Sequence, residues 1–379
     1  MGGSFMKIRI TPLAAALGLA AGMLASSAAF ADTIKFAVAG PFTGALTQYG
    51  EMVKQGVDTA VEQINAKGGV LGKQIEVVVM DDACEPKQGP VVANRVVNEG
   101  IGYVVGHVCS GATIAATDIY NDEGVIMISP SATAPAVTEG KNYETIFRTI
   151  GRDDQQGPAA AKVIIEQIKP KKVAVLHDKQ SYGQGIATAV KNDLEKANID
   201  VVLFEGINAG DSDYSAVITK LKGSGAEFVY YGGYHPEMGL LLRQGAEQNL
   251  GITFMGPEGA GNPDINAIAG DAVEGMLVTL PADFTKDEAN EALVKAFKDK
   301  GRDPGGAFQM TAYSAVQALV AGLEGAGKDD PIAVAEYLHA NSVDTPIGTI
   351  SWNEQGDLKE FKFDVFTWHK DGSKSVFAQ

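Results

Sequence analysis

Short apolar runs alternate with helical patterns along almost the whole chain, and the alternation begins twice. Ile34–Ala39 reads as a buried strand; Val53, Val57, Ala60, Val61 and Ile64 then recur at helical spacing until Gly68-Gly69 ends the helix. Ile75–Met80, Tyr103–Val105 and Val125–Ile128 follow as strands, with helical stretches near Val91–Asn98 and Thr113–Tyr120 between them. Such βαβ units build a parallel sheet covered on both faces. After Pro170 the pattern restarts. Val173–Leu176, Val201–Phe204, Phe228–Tyr231, Phe254–Gly256 and Met276–Thr279 read as strands, separated by helices such as Ile186–Ala197 and Tyr214–Lys222. The expected fold class is α/β, with two doubly wound sheets in two lobes.

The polar segment Gly151–Gly157 is the natural first crossing between the lobes. A third region, Asp287–Leu338, is mostly helical, and strand-like Gly348–Trp352 and Phe361–Trp368 close the chain. If the late helices return to the first lobe, several segments link the lobes and form a hinge.

The first thirty-one residues read as a secretory leader: basic Lys7 and Arg9, an uncharged 13-residue run Leu13–Ala25, and small residues ending Ala29-Phe30-Ala31 before Asp32. Its apolar core is too short to span a bilayer, and no Cys marks a lipid-anchored form. Either Met1 or Met6 serves as the start. Removing the leader leaves 379 − 31 = 348 residues, enough for two ordinary domains, with 29 basic residues against 47 acidic, a formal charge of −18. That balance argues against nucleic acid and anionic membranes as partners. Outside the cytoplasm ATP and NAD are scarce, which disfavours nucleotide-driven chemistry. In an oxidising compartment the only two cysteines, Cys84 and Cys109, favour one disulfide, worth about 3 kcal/mol by chain entropy. They lack the CxxC spacing and the nearby histidines of a metal site.

Ligands of open α/β sheets bind beyond the carboxyl ends of strands. After Tyr103–Val105 comes Gly106-His107-Val108-Cys109-Ser110-Gly111-Ala112-Thr113, where a helix start and a Ser hydroxyl suit a carboxylate, although Ser110 also reads as a plain N-cap. Ser129-Pro130-Ser131-Ala132-Thr133 offers a second hydroxyl, with ordinary turn chemistry as the bland reading. In the second lobe Glu258, between Pro257 and Gly259 at a strand end, is a plausible partner for an ammonium or else a solvated loop acid. The chain has no GxSxG elbow, HExxH or P-loop, and its five histidines show no metal-ligand spacing. His107, His177 and His235 read as packing or hydrogen-bonding residues at strand ends. No catalytic pair, metal site or cofactor is expected.

The blocks "DDACEPKQ" (81–88), "GHVCS", "SATAP", "HDKQSYG", "VYYGGYHPEMG", "FMGPEG", "DPGGAF" (303–308) and "ANSVDTPIG" (340–348) stand in the order seen in the periplasmic branched-chain amino-acid-binding proteins of ABC importers. The chain resembles that family from Ile34 to about Trp368. The resemblance implies a Venus-flytrap fold with three hinge crossings, near 151, 280 and 362. Lobe 1 would comprise 32–151 plus 282–361, and lobe 2 would comprise 152–279 plus 364–379. It also implies a Cys84–Cys109 disulfide, a periplasmic monomer cleaved after Ala31, and capture of free Leu, Ile or Val for a membrane permease. Ser110 and Thr133, with their backbone N–H groups, would hold the ligand carboxylate, and Ala132 between Ser131 and Thr133 would belong to the same ligand-binding set. Glu258 and the Ser131 carbonyl would take its ammonium, and Tyr182 would close from the second lobe. Tyr49, Val108, Tyr234 and Phe308 would line the side-chain pocket. Ser131 replaces an expected Ala, and Val108 is smaller than the expected Leu or aromatic. Alternatives are another small amino acid (Phe, Ala or a GABA-like ligand) or a sensor that presents its ligand to a receptor. A basic ligand would want a further acid near Val108 or Phe308.

Overall fold

The computed structural model describes residues 1–3 and 33–377. The expected leader and its cleavage point lie outside these residues.

The first sheet is built from β1 (Thr33–Gly40), α1 (Thr47–Ala66), β2 (Gln74–Asp81), α2 (Gly89–Asn98), β3 (Tyr103–Val105), α3 (Ser110–Asp122), β4 (Ile126–Ser129) and β5 (Ile146–Arg148). Its strands run in the order β2-β1-β3-β4-β5, all parallel. β3 and β4 are buried at every position, as a sheet covered on both faces requires. α1 buries Tyr49, Met52, Val53, Val57, Ala60 and Val61 on one face.

The chain then enters a second sheet through α4 (Asp153–Val163), β6 (Lys172–His177), α5 (Ser181–Lys196), β7 (Asp200–Gly206), α6 (Ser215–Ser224), β8 (Phe228–Gly232), α7 (His235–Glu247), β9 (Thr253–Gly256), α8 (Ile265–Ala269) and β10 (Met276–Pro281). α9 (Glu291–Asp299), α10 (Gln309–Ala326) and α11 (Pro331–Ala340) follow. They return to the first sheet: α10 packs along α1, and α11 lies against β4. A two-stranded ribbon, β11 (Val343–Thr345) with β12 (Gly348–Ile350), precedes β13 (Phe363–Trp368) and β14 (Lys374–Val376). The second sheet runs β14-β13-β10-β9-β8-β6-β7. Its first five strands in sequence are parallel, whereas β13 pairs antiparallel with β10 and β14 with β13. The α/β expectation therefore holds for both sheets, with an antiparallel edge added to the second.

Two further differences from the sequence reading have local causes. The segment read as a crossing through Gly157 is helix from Asp153 onward, because Asp153 and Asp154 suit a first turn and Ala159–Ala161 carry the helix past Pro158. Its small side holds α5 close, and a Cβ on Gly157 would stand 3.0 Å from that of Ala189. β5 was not read as a strand because one of its three residues, Arg148, is charged.

Arg148 is fully buried, so its charge must be paired. Its Nε donates to Asp357 Oδ1 at 2.8 Å, and its Nη1 donates to the carbonyls of Ala132 (2.7 Å) and Ala134 (2.9 Å). Asp357, also buried, accepts from Arg152 Nη1 (2.8 Å) and from the Thr138 hydroxyl (2.8 Å). One ion cluster thus ties together the loop after β4, the segment entering α4 and the segment before β13. Asp357→Ala strands the Arg148 charge and should lower unfolding free energy by about 3–5 kcal/mol, the usual loss on breaking a buried pair. Urea titration followed by circular dichroism measures it; a loss below about 1 kcal/mol, the range of a surface pair, would contradict the assignment.

Candidate functional site

In a doubly wound sheet each strand ends where the next helix begins, so the strand-end loops gather on one side. In the first sheet the two important loops follow β3 and β4. Gly106 opens the first of them in the left-handed region (φ +134°), where a Cβ would fall 2.2 Å from the Ala39 carbonyl oxygen. His107 is fully buried, its Nδ1 paired with Asp82 Oδ2 at 2.6 Å and its Nε2 with the Tyr120 hydroxyl at 2.9 Å. Asp82 also accepts from the Cys84 N–H at 2.8 Å. Cys84 is joined to Cys109 in the expected disulfide, across a separation of 25 residues. The start of α3 is therefore fixed by a covalent bridge and a buried hydrogen-bonded chain.

Cys109, in extended conformation, is the N-cap of α3, so Ser110 is its first helical residue rather than the cap. That leaves the Ser110 hydroxyl to the neighbouring loop, where it accepts from the Ala134 N–H at 3.2 Å. The second loop is held from within. Ser129 Oγ donates to the His107 carbonyl (2.7 Å) and accepts from the Ala132 N–H (2.9 Å), and Ser131 Oγ donates to the Val108 carbonyl (2.9 Å). Ser110, Ser131, Ala132 and Thr133 are all buried and converge beside the α3 N-terminus, whose first-turn N–H groups favour an anion.

The second sheet brings Glu258 to this point on the short 3-10 turn that follows β9. Glu258 is 2% exposed, and Thr133 Oγ1 donates to its Oε1 at 3.3 Å. Burial pushes its carboxyl above the ordinary 4.5, to about 7, against the opposing pull of Gln156, Tyr182 and Thr133. Of these three only Thr133 forms a hydrogen bond of acceptable geometry, and Glu258 Oε2 has no partner among the described residues. Asp153, the first residue of α4, is buried beside it, and neither of its carboxylate oxygens has a partner. Burial, followed by the charge of Glu258, drives the Asp153 carboxyl well above its usual range. The sequence reading missed Asp153 because it places this residue in a polar crossing, where an acid is ordinary. It also missed Gln156, which is buried one turn further on with its amide unpartnered.

Aromatic side chains close the remaining sides. Tyr182 accepts from the Gly259 N–H at 3.0 Å; a Cβ on Gly259 would stand 2.8 Å from the Tyr182 ring, so glycine permits the approach. Ring centroids of Tyr182 and Tyr234 lie 5.1 Å apart, Tyr234 and Tyr49 5.9 Å, and Tyr49 and Phe308 5.8 Å. Val108 is buried against Gly40. Tyr49 donates to the Gly259 carbonyl at 2.5 Å, which leaves His235 Nδ1 as the donor in the 2.9 Å contact with its phenol oxygen. Desolvation holds the His235 imidazole down at about 4. These bonds join α1 of the first sheet to the strand-end loops of the second. The ten residues singled out from the sequence thus fall in two neighbouring groups, one polar and one aromatic.

The strand-end loops of the two sheets thus meet, with a helix start and unpartnered buried acids in one group and packed aromatic rings in the other. Residues 33–373 match the model of the periplasmic binding protein family, and the chain belongs to that family. It is 57% identical over 367 residues to the leucine-, isoleucine-, valine-, threonine- and alanine-binding protein of Pseudomonas aeruginosa, covering 97% of this chain and 98% of that one. It is 51% identical over 348 residues to the Leu/Ile/Val-binding protein of Escherichia coli, covering 92% and 94%. A leucine-binding protein from Thermotoga maritima superposes with a TM-score of 0.84 at 28% identity, covering 91% of this chain and 98% of that one. A branched-chain amino-acid transporter binding protein from Streptococcus pneumoniae, solved with isoleucine, gives 0.82 at 27% identity, covering 91% and 99%. These relatives are binding proteins by name. No helix among the described residues is long and apolar enough to cross a membrane.

An acid whose carboxyl is raised by folding binds its proton more tightly folded than unfolded. Stability is therefore lost as pH rises from the unfolded value near 4.5 through about 7. Glu258→Gln removes this ionisation, and should raise the thermal midpoint of protein stripped of amino acids by several degrees at about pH 8 and little near pH 4.5. Scanning calorimetry at both values checks this, and equal midpoints at the higher pH would count against the buried-acid assignment.

Proposed function

We propose that this protein captures a free aliphatic L-amino acid, Leu, Ile or Val, in the cleft between its sheets and delivers it to the membrane subunits of an ABC importer. The observation that carries this reading is the buried Glu258 carboxylate set against Thr133 and the start of α3, with the aromatic wall adjoining. In this reading Ser110 and Thr133, with their backbone N–H groups, hold the ligand carboxylate. Glu258 and the Ser131 carbonyl hold the ammonium. Tyr49, Val108, Tyr182, Tyr234 and Phe308 enclose the side chain. A zwitterion leaves its hydration shell on entering, so each of its charges needs a partner in the cleft.

The proposed lobes are 32–151 plus 282–361 and 152–279 plus 364–379, with hinge crossings near 151, 280 and 362. A ligand that touches both lobes only when they are closed shifts the open–closed equilibrium, and the permease would read the closed form. The mature protein would act in the periplasm as a monomer, without cofactor or catalytic step. The name of the Pseudomonas relative supports including threonine and alanine among the ligands to be tested. Each methylene buried should add roughly 0.8 kcal/mol, which favours the branched ligands over alanine.

Calorimetry of stripped protein against Leu, Ile, Val, Thr, Ala, Phe and GABA should give one-to-one binding led by the branched three. Glu258→Ala should weaken leucine binding by about 3–5 kcal/mol, the cost of stranding a buried charge. Silence across the panel, or an unaffected variant, would overturn the proposal. Amino-acid uptake that persists in cells lacking the protein would overturn the transport role alone.

A further inference from the structure

Asp153 and Glu258 flank the same residue, Thr133, whose carbonyl accepts from the Asp153 N–H at 2.9 Å and whose hydroxyl donates to Glu258 Oε1 at 3.3 Å; both acids are buried, and three of their four carboxyl oxygens, Asp153 Oδ1 and Oδ2 and Glu258 Oε2, have no hydrogen-bond partner among the described residues. Both belong to the second sheet's body. Asp153 begins α4, which packs on α5 and touches β10 and β13, while Glu258 follows β9. Movement of the first sheet away from the second would leave the two acids together.

The surrounding groups do not neutralise them. From β5, Arg148 acts on Asp153, but its guanidinium is bound to Asp357, the Ala132 and Ala134 carbonyls and the Thr138 hydroxyl. Asp154, next on α4, adds a like charge. Tyr182 from α5, Tyr230 from β8 and Tyr234 ahead of α7 are buried phenols held above their ordinary range, burial first and the two acids adding to it. Tyr49 from α1 is raised likewise, and the first sheet's loop contributes only the Thr133 hydroxyl. Two neighbouring buried carboxylates without a cation cannot both ionise, and they titrate as a pair.

We propose that Asp153 and Glu258 share one proton before ligand arrives and release it to solvent when the ligand's ammonium takes its place. The inference rests on the amino-acid reading of the site and deepens it by making Asp153 part of the ammonium end. The ligand enters with its ammonium already protonated near neutral pH, so the released proton comes from a carboxyl O–H of the pair, and no bond of the ligand breaks. The upward shifts of both carboxyls agree with this arrangement.

The test is titration of leucine into the stripped wild-type chain at about pH 7, in phosphate and in Tris, whose ionisation enthalpies differ. The apparent enthalpy should depend on the buffer with a slope corresponding to about one proton released, and affinity should rise by up to about tenfold per pH unit below the pair's apparent pKa. In Asp153→Asn the buffer-dependent slope should fall well below that of the wild type, because a single acid raised by burial alone then stands in place of the pair. Leucine binding with no buffer dependence in the wild type would overturn the proposal without touching the amino-acid reading. A slope in Asp153→Asn equal to that of the wild type would place the proton elsewhere and overturn it too. Failure of every amino acid to bind would remove the amino-acid reading and this proposal with it.

Discussion

A charge taken out of water must meet an opposite charge or a set of hydrogen bonds, and this requirement organises the interior of the protein. Arg148 meets it through Asp357 and two loop carbonyls. The buried Asp82 carboxyl meets it through His107 and the Cys84 N–H. Asp153 and Glu258 do not meet it, since a single hydroxyl, that of Thr133, reaches one of their four oxygens. In the proposed reading, the partner these buried acids lack is the ligand's ammonium.

The division of labour between the sheets follows from their loops. The first sheet's loops are locked by the disulfide, the Asp82–His107–Tyr120 chain, the Ser129 and Ser131 hydroxyls and the Arg148 cluster. The second sheet carries the acids and two of the four rings of the aromatic wall, and meets the first through Tyr49, His235 and Gly259. The Arg148 cluster links the loop after β4 to the segments that carry Arg152 and Asp357, near two of the proposed crossings.

Much of this was legible in the sequence. Near-continuous apolar runs such as Tyr103–Val105 and Phe228–Tyr231 can only be strands buried on both faces, and they located the loops that carry Ser110, Thr133, Tyr234 and Glu258. Residues whose meaning depends on distant partners were not legible. The partner of Arg148, Asp357, lies more than two hundred positions away. Asp153 sits in a polar stretch of ordinary appearance, and only the fold brings it and Glu258 to the same residue, Thr133. The reading of Ser110 as a cap failed by one position, because the disulfide-bonded Cys109 takes the cap. β14 escaped because its edge strand has no buried residue and so leaves no apolar pattern.

The central claim is that the cleft recognises both charges of an amino acid at once. Calorimetry comparing leucine with 4-methylpentanoic acid, which lacks the ammonium, and 3-methylbutylamine, which lacks the carboxylate, tests this most directly. The account predicts one-to-one binding of leucine and no measurable binding of either analogue, because each leaves one end of the cleft unmatched. Binding of either analogue at near-leucine affinity would show that the side-chain pocket alone selects the ligand, and would contradict the roles given to Glu258 and to the start of α3.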